Sequence, residues 1–225
     1  LQGFFEMLGV PYVGTGVLSS AIGMDKAFMK KVFCYHNIPQ GNFMILKKID
    51  DYQKRESEIN LKIKNNVGFP CFIKPANMGS SIGISKVNQT QQLNAAFKNA
   101  FKYDDKIVIE EFIDGREVEC SVLGHKDVKA SLPGEIKPGH EFYDFEAKYK
   151  DESTELMIPA SLDDNMINKL QKIAIDAFKA IDGKGFARID FFIRNQDQKV
   201  FLNEVNTIPG FTEYSMYPKL WEVSG

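Results

Sequence analysis

Apolar and polar positions follow two rhythms along this chain, one near 3.6 residues and one of two, and the changes between them mark the elements. The longer period predicts helices over Asp25–His36, Asp51–Asn66, Thr90–Lys102 and Asp163–Ile181. In the first of these, Phe28, Val32 and Tyr35 share a face and the lysines take the other. The second ends at Asn65-Asn66-Val67-Gly68, with Pro70 just beyond, a usual helix stop. The shorter period predicts strands over Phe43–Leu46, Cys71–Lys74, Ile84–Val87, Ile107–Phe112, Glu117–Gly124, Phe186–Ile193 and Val200–Val205, with Val128–Ile136 extending a sheet. Asp114-Gly115 reads as the turn joining Ile107–Phe112 to Glu117–Gly124.

These elements divide the chain into three parts. Residues 1–24 read as the tail of an upstream domain and a linker, helical at the start and a strand–loop ending over Gly9–Gly16. Residues 25–104 make a central α+β unit, and residues 105–225 a C-terminal one. The connections are short, so the sheets are expected to be largely antiparallel. The first residue is not Met and both ends are abrupt, which suggests a piece of a longer protein.

Composition removes several classes of function. The chain has 225 residues, 44% hydrophobic and 26% charged, enough for a real core. Its net charge of −2 supplies no electrostatic attraction to nucleic acid or anionic membrane, and no apolar run is long enough to span a bilayer. Cys34, Cys71 and Cys120 are widely spaced among apolar neighbours, without a CxxC pair. They read as buried, inert thiols of a cytoplasmic protein.

The chemistry concentrates in four places. Strand alternation puts Arg188 and Asp190 on one face and Ile189, Phe191 and Ile193 on the other, while Glu204 and Asn206 share a face. If Asp190 stands opposite Glu204, then Arg188 stands opposite Asn206, a register that needs an odd-numbered loop around Asp197 or a bulge. Asp190, Glu204 and Asn206 then offer only oxygen, which suits a hard cation. Taken alone, the same pattern also fits a solvated, salt-bridged strand face. The pinned loop Asn206–Thr212 beside it favours a binding role.

The second place is Lys74 followed by the small-residue loop Asn77–Gly83, whose glycines let backbone N–H groups approach phosphate. It is not a P-loop, and an ordinary turn fits it too. The third is the strand end Glu110–Ile113, whose backbone can meet an adenine edge, with Glu117 on ribose hydroxyls; alone it is a plain hairpin. The fourth is Tyr143–Tyr149, within a charged, aromatic stretch from His140 to Ser153 that reads as a loop able to close over substrate.

Taken in order, these strings, together with Gly23-Met24-Asp25-Lys26 and Asn203-Glu204-Val205-Asn206-Thr207-Ile208-Pro209-Gly210-Phe211-Thr212, resemble the D-alanine–D-alanine ligase family of the ATP-grasp fold over nearly the whole chain. The resemblance implies two α+β subdomains with largely antiparallel sheets that sandwich the nucleotide. It implies an enzyme joining two D-alanines through an acyl phosphate for peptidoglycan precursors, with ATP and two Mg²⁺ (or Mn²⁺) ions as cofactors. D-serine as the second substrate, or another carboxylate–amine pair, is the alternative. Partners would be small molecules, with neither nucleic acid nor membrane, and a homodimer in the full-length protein.

Residue roles carry over on the matching strings. Lys26 and Lys74 would contact phosphates under the Asn77–Gly83 loop, with Ser80 and Ser81 on it and Ser80 also near the first substrate. Glu110, Glu111, Phe112 and Ile113 would line the adenine site, Glu117 would hold ribose, and Asn203 also falls in the nucleotide set. Asp190, Glu204 and Asn206 would bind the metal ions, and Lys148 would reach the γ-phosphate. Arg188 and the Gly210 N–H would stabilise the oxyanion. Ser215 and the Met216 N–H would hold the second amino acid's carboxylate, and Tyr149 favours an amine nucleophile. The reaction concentrates negative charge, so cations and N–H donors should dominate over acid–base residues. The family's N-terminal domain, which helps position the first D-alanine, has no match here beyond the presumed tail Leu1–Ser20. The chain alone is therefore expected to bind nucleotide better than it ligates.

Overall fold

The computed structural model describes residues 1–48, 52–137 and 155–225. Its helices are α1 (Gln2–Leu8), α2 (Val17–Met24), α3 (Lys26–Tyr35), α4 (Glu56–Asn66), α5 (Leu93–Ala100), α6 (Asp164–Ala180) and α7 (Met216–Ser224). The strands are β1 (Phe43–Lys47), β2 (Cys71–Pro75), β3 (Ser85–Val87), β4 (Lys106–Glu111), β5 (Gly115–Gly124), β6 (Lys129–Ala130), β7 (Gly134–Lys137), β8 (Glu155–Met157), β9 (Gly185–Arg194) and β10 (Val200–Asn206). One sheet runs β1-β4-β2-β3 and the other β10-β9-β5-β7-β8, with β6 paired to β5. Every ladder between these strands is antiparallel.

The period-two alternation decides what each sheet buries. In the first sheet Cys71, Ile73, Ile107 and Ile109 face α4 and α5 and pack with Ile59, Ile63, Leu93 and Phe97. Phe72, Lys74, Val108 and Glu110 point to the opposite face. In the second sheet Val118, Cys120, Val122, Ile189, Phe191 and Ile193 pack against Leu170, Ala174, Ala177 and Phe178 of α6. Glu117, Glu119, Arg188 and Asp190 are left on the other side. Asp163 caps α6, accepting a bond from the Met166 N–H at 2.8 Å. Phe178 is fully buried. Phe178→Ala is expected to lower the unfolding free energy by about 3–5 kcal/mol, measured as a fall in the urea midpoint.

Helix α3 stands between the sheets. Met29 and Phe33 join the core of the second, while Ala27 packs with Val108 of the first. The face expected from the sequence is corrected here: Phe28 and Tyr35 are exposed, and Ala27, Met29, Lys30 and Phe33 are buried. With a sheet on each side, the helix buries more than one stripe, and its lysine lies on a buried one.

Other expectations change as well. Strand β4 does not form a hairpin with β5; it lies inside the first sheet between β1 and β2. The first sheet therefore runs through Glu111, and the second sheet starts at Gly115. The stretch Val128–Ile136 splits into β6 and β7 around Ser131-Leu132-Pro133. Gly9–Gly16 contains no strand, and α2, which the pattern did not reveal, follows it. Cys34 is exposed, whereas Cys71 and Cys120 are buried. Burial pushes the Cys71 thiol up to about 11 and that of Cys120 up to about 12, so both are inert. Among the described residues, no helix is long and apolar enough to cross a membrane.

Candidate functional site

The β9–β10 hairpin has the register inferred from its alternation: Asp190 opposite Glu204 and Arg188 opposite Asn206. The shift falls between Leu202 and Glu204, a bulge at Asn203. That extra residue lets Leu202 and Val205 both face the core while Glu204 and Asn206 share the polar side. Strand β5 adds Glu119 directly opposite Asp190.

Arg188 sits at the centre. Its Nε donates to Asp190 Oδ1 at 2.8 Å, and its Nη2 to Asp190 Oδ2 at 2.9 Å. Its Nε is also 2.9 Å from Glu119 Oε2. Asn206 Nδ2 donates to Asp190 Oδ2 at 2.8 Å and to Glu204 Oε1 at 3.5 Å. Burial opposes the charge on Arg188, but Asp190, Glu119 and Glu204 outweigh it and raise its pKa well above the usual value. Three carboxylates and an amide thus crowd one sheet face with one guanidinium among them. The donor set is all oxygen and fits a hard divalent cation. Among the described residues no three His, Cys, Asp or Glu side chains form a ready-made cage; Asp190 faces Arg188 and Asn206 instead.

The first sheet supplies the cations. Glu110 bridges two lysines, with Lys74 Nζ at 2.9 Å from Oε2 and Lys30 Nζ at 3.6 Å from Oε1. Burial alone would raise the Glu110 pKa; Lys30, Lys74 and Lys26 overcome it and hold the carboxyl at about 2. Burial works against the Lys74 charge, yet Glu110, Glu204 and Glu117 raise its pKa. Glu204 and Glu117 belong to the second sheet, so the two polar faces look at each other. Lys26 donates to the Met78 carbonyl at 2.6 Å, which ties α3 to the loop after β2.

Because the folded-state pKa of Glu110 lies below the unfolded value of 4.5, its stabilisation is present above pH 4.5 and is lost as pH falls toward 2. Glu110→Gln is expected to flatten that part of a melting-temperature profile. An unchanged slope between pH 4.5 and 2 would contradict the assignment.

The Asn77–Gly83 loop is anchored by Asp104, which accepts from the backbone N–H and the side-chain Nδ2 of Asn77, both at 2.8 Å. Ser80, Ser81 and Gly83 all have positive φ, at 50°, 59° and 75°. Two successive serines in the left-handed region are strained, and such strain gathers at binding segments. A Cβ on Gly83 would lie 2.6 Å from the Tyr103 ring, so only glycine fits.

Among the nucleotide candidates, the Glu110 carboxylate pairs with Lys30 and Lys74. Glu111 accepts from Asn42 Nδ2 at 2.6 Å, and Phe112 lies beneath the Lys86 ammonium, 4.5 Å from its ring centroid. Glu111 and Ile113 close on Gly41, where a Cβ would be 3.1 Å from one and 3.2 Å from the other. Glu117 stands opposite Phe192 on β9. After β10, Gly210 is pressed on Ser215, whose Oγ a Cβ there would meet at 2.6 Å. Ser215 Oγ accepts from the Thr212 N–H at 3.0 Å, and Met216 is buried at the start of α7. The predicted closing segment with Lys148 and Tyr149 lies outside the described residues. Surface hollows of about 330 Å³ between the segment after α3 (residues 36–39) and α6, and about 520 Å³ beside Asp104 and Lys106, lie away from the carboxylate cluster.

Sequence reasoning missed Lys30 and Glu119. The signals were present: Lys30 is four residues after Lys26 on one helix, and Glu119 is two after Glu117 on one strand.

Two facing antiparallel sheets, one bearing lysines and the other an acid cluster, define an ATP-grasp architecture. The chain belongs to the D-alanine–D-alanine ligase C-terminal family, whose pattern, described as "D-ala D-ala ligase C-terminus", matches residues 32–225. It is 56% identical over 225 residues to the D-alanine–D-alanine ligase of Halothermothrix orenii, covering 100% of this chain and 65% of that protein. It is 49% identical to the ligase of Heliobacterium modesticaldum, over 100% of this chain and 61% of that one. In structure it resembles the D-alanine–D-alanine ligase of Coxiella burnetii with a TM-score of 0.81 at 38% identity, over 100% of this chain and 58% of the other. It also resembles the VanG D-Ala:D-Ser ligase of Enterococcus faecalis with a TM-score of 0.86 at 37% identity, over 98% and 63%. The chain therefore spans roughly three fifths of the length of the relatives it matches.

Proposed function

We propose that this chain carries the nucleotide and metal site of a cytoplasmic, ATP-dependent D-alanine–D-alanine ligase. The observation that carries the reading is the β9–β10 register, which gathers Arg188, Asp190, Glu204 and Asn206 on one face opposite Lys74. Asp190, Glu204 and Asn206 would hold Mg²⁺, which when bound neutralises charge on the phosphate oxygens. Lys26 and Lys74 would bind phosphates, with Ser80 and Ser81 closing over them. Glu111, Phe112 and Ile113 would border the adenine, and Glu117 the ribose.

A carboxylate is a poor electrophile, so the carboxylate of the first D-alanine would attack the γ-phosphorus, the bond to the bridging oxygen would break, ADP would leave and an acyl phosphate would form. The neutral amine of the second would then attack the acyl carbon, the C–O bond to phosphate would break, and the nitrogen would lose a proton as inorganic phosphate leaves. Arg188 is suited to the oxyanion that develops, because Glu119 and Asp190 hold its guanidinium rigidly and need not reorganise. The Gly210 N–H would join it, and Ser215 with the Met216 N–H would receive the second carboxylate. Lys148 and Tyr149 remain candidates by resemblance for the γ-phosphate and the amine nucleophile.

The relatives with the higher identities here are named D-alanine–D-alanine ligases, whereas the likeness to VanG keeps D-serine as the second reading. The test is ADP release by the chain joined to the remainder of a longer relative, with D-alanine alone or with D-serine added, and products weighed by mass spectrometry. D-alanine-dependent release with D-alanyl-D-alanine as the main product supports the reading. ATP turnover indifferent to D-alanine contradicts it.

A further inference from the structure

Lys30 is a buried cation that the roles above leave unassigned; only 2% of its surface is exposed. It projects from α3 onto the polar face of the first sheet, 3.6 Å from Glu110 Oε1 and 5.4 Å from the Phe43 ring centroid. The other Glu110 oxygen takes Lys74 at 2.9 Å. A lone Lys74–Glu110 pair would be neutral, so Lys74 would meet an incoming phosphate with its charge already cancelled. Two ammoniums around one carboxylate give the trio a charge of +1 away from water; burial and Lys74 lower the Lys30 pKa, and Glu110 and Glu204 of the facing sheet work against that.

We propose that Lys30 is a positioning residue for the phosphate site: it holds one oxygen of Glu110, fixes the carboxylate that aligns Lys74, and restores the positive charge that Glu110 would otherwise cancel. Its ligand class is the polyphosphate of a nucleoside triphosphate. This deepens the proposed function and rests on it. A lysine that only packed would matter to stability and to every ligand alike. One acting through Lys74 matters to phosphate and not to the nucleoside.

The test is Lys30→Met, which keeps chain length and removes charge. Mg-ATP affinity is read by calorimetry, adenosine affinity by displacement, and stability by thermal melting. Mg-ATP affinity is expected to fall at least about tenfold, or about 1.4 kcal/mol, with adenosine affinity unchanged within about twofold. Adding Glu110→Gln returns the trio to +1 and is expected to recover most of the lost ATP affinity. Unchanged ATP affinity, an equal loss for ATP and adenosine, or no recovery in the double variant overturns the proposal. If Lys30→Met does not fold, Lys30→Arg carries the test: it keeps the ATP-to-adenosine ratio within about threefold, and a tenfold fall overturns the idea. No Mg-ATP binding by the unsubstituted chain overturns the functional reading itself, and this inference with it. Unsubstituted binding that Lys30→Met leaves intact overturns the inference alone.

Discussion

Asp190→Asn is expected to remove Mg²⁺-dependent ATP binding while the chain stays folded. The substitution preserves shape and one acceptor oxygen, so Arg188 still finds a partner there as well as Glu119. It removes the negative charge that a hard cation needs and puts an amide nitrogen among the donors. The loss in affinity for Mg-ATP should be at least about 100-fold, near 3 kcal/mol. Asp197→Asn is the matched control. That aspartate pairs with Arg194 in the exposed β9–β10 turn and should leave binding unchanged. Calorimetric titrations with and without Mg²⁺ check both. Asp190→Asn binding Mg-ATP as tightly as the unsubstituted chain would contradict the metal assignment.

Arg188→Met should have the largest effect on stability among the site residues. It leaves Glu119 and Asp190, 3% and 4% exposed, facing each other across β5 and β9 without the guanidinium between them. Removing one member of a buried charged group destabilises by roughly 3–5 kcal/mol. The two carboxylates would then repel and their pKa values would rise. Carboxyl groups whose folded-state pKa exceeds the unfolded value take up protons on folding, so the deficit should shrink as pH falls. Mg²⁺ should also recover part of the lost melting temperature, because the exposed oxygens gain a cation. In the chain joined to the remainder of a longer relative, D-alanine-dependent ADP release should be lost even at high Mg²⁺ if Arg188 serves the oxyanion as proposed. A variant with unchanged melting temperature and no response to Mg²⁺ would show that Arg188 is not the hub of this cluster.

Much of the second sheet was legible because alternation is a local rule. Arg188 and Asp190 must share a face, the apolar residues between them must share the other, and α6 has one clean apolar stripe to cover it. The register called for either an odd-numbered loop around Asp197 or a bulge, and the structure takes the bulge, at Asn203. The first sheet was less legible. Strand β4 leads into Asp114-Gly115, which reads locally as a hairpin, but pairing is settled by nonlocal packing of Ile107 and Ile109 beneath α4 and α5. The face of α3 was misread for a related reason. Its pattern presumes one buried side, and it has a sheet on each. Lys30 was hidden by the same assumption, since a lysine reads as solvent-facing unless a buried carboxylate such as Glu110 awaits it. Glu119 escaped because its partner, Arg188, is far away in sequence. Cys34 looked buried among apolar neighbours, yet it falls near the exposed end of α3.

In the proposed function, the lysine face of one sheet and the acid face of the other together make a single Mg-ATP site. Titration of ATP into the unsubstituted chain by calorimetry, first with excess Mg²⁺ and then with the metal chelated, tests it most directly. One-site binding that requires Mg²⁺ is expected. Binding that is indifferent to the metal, or no binding in either condition, would contradict it.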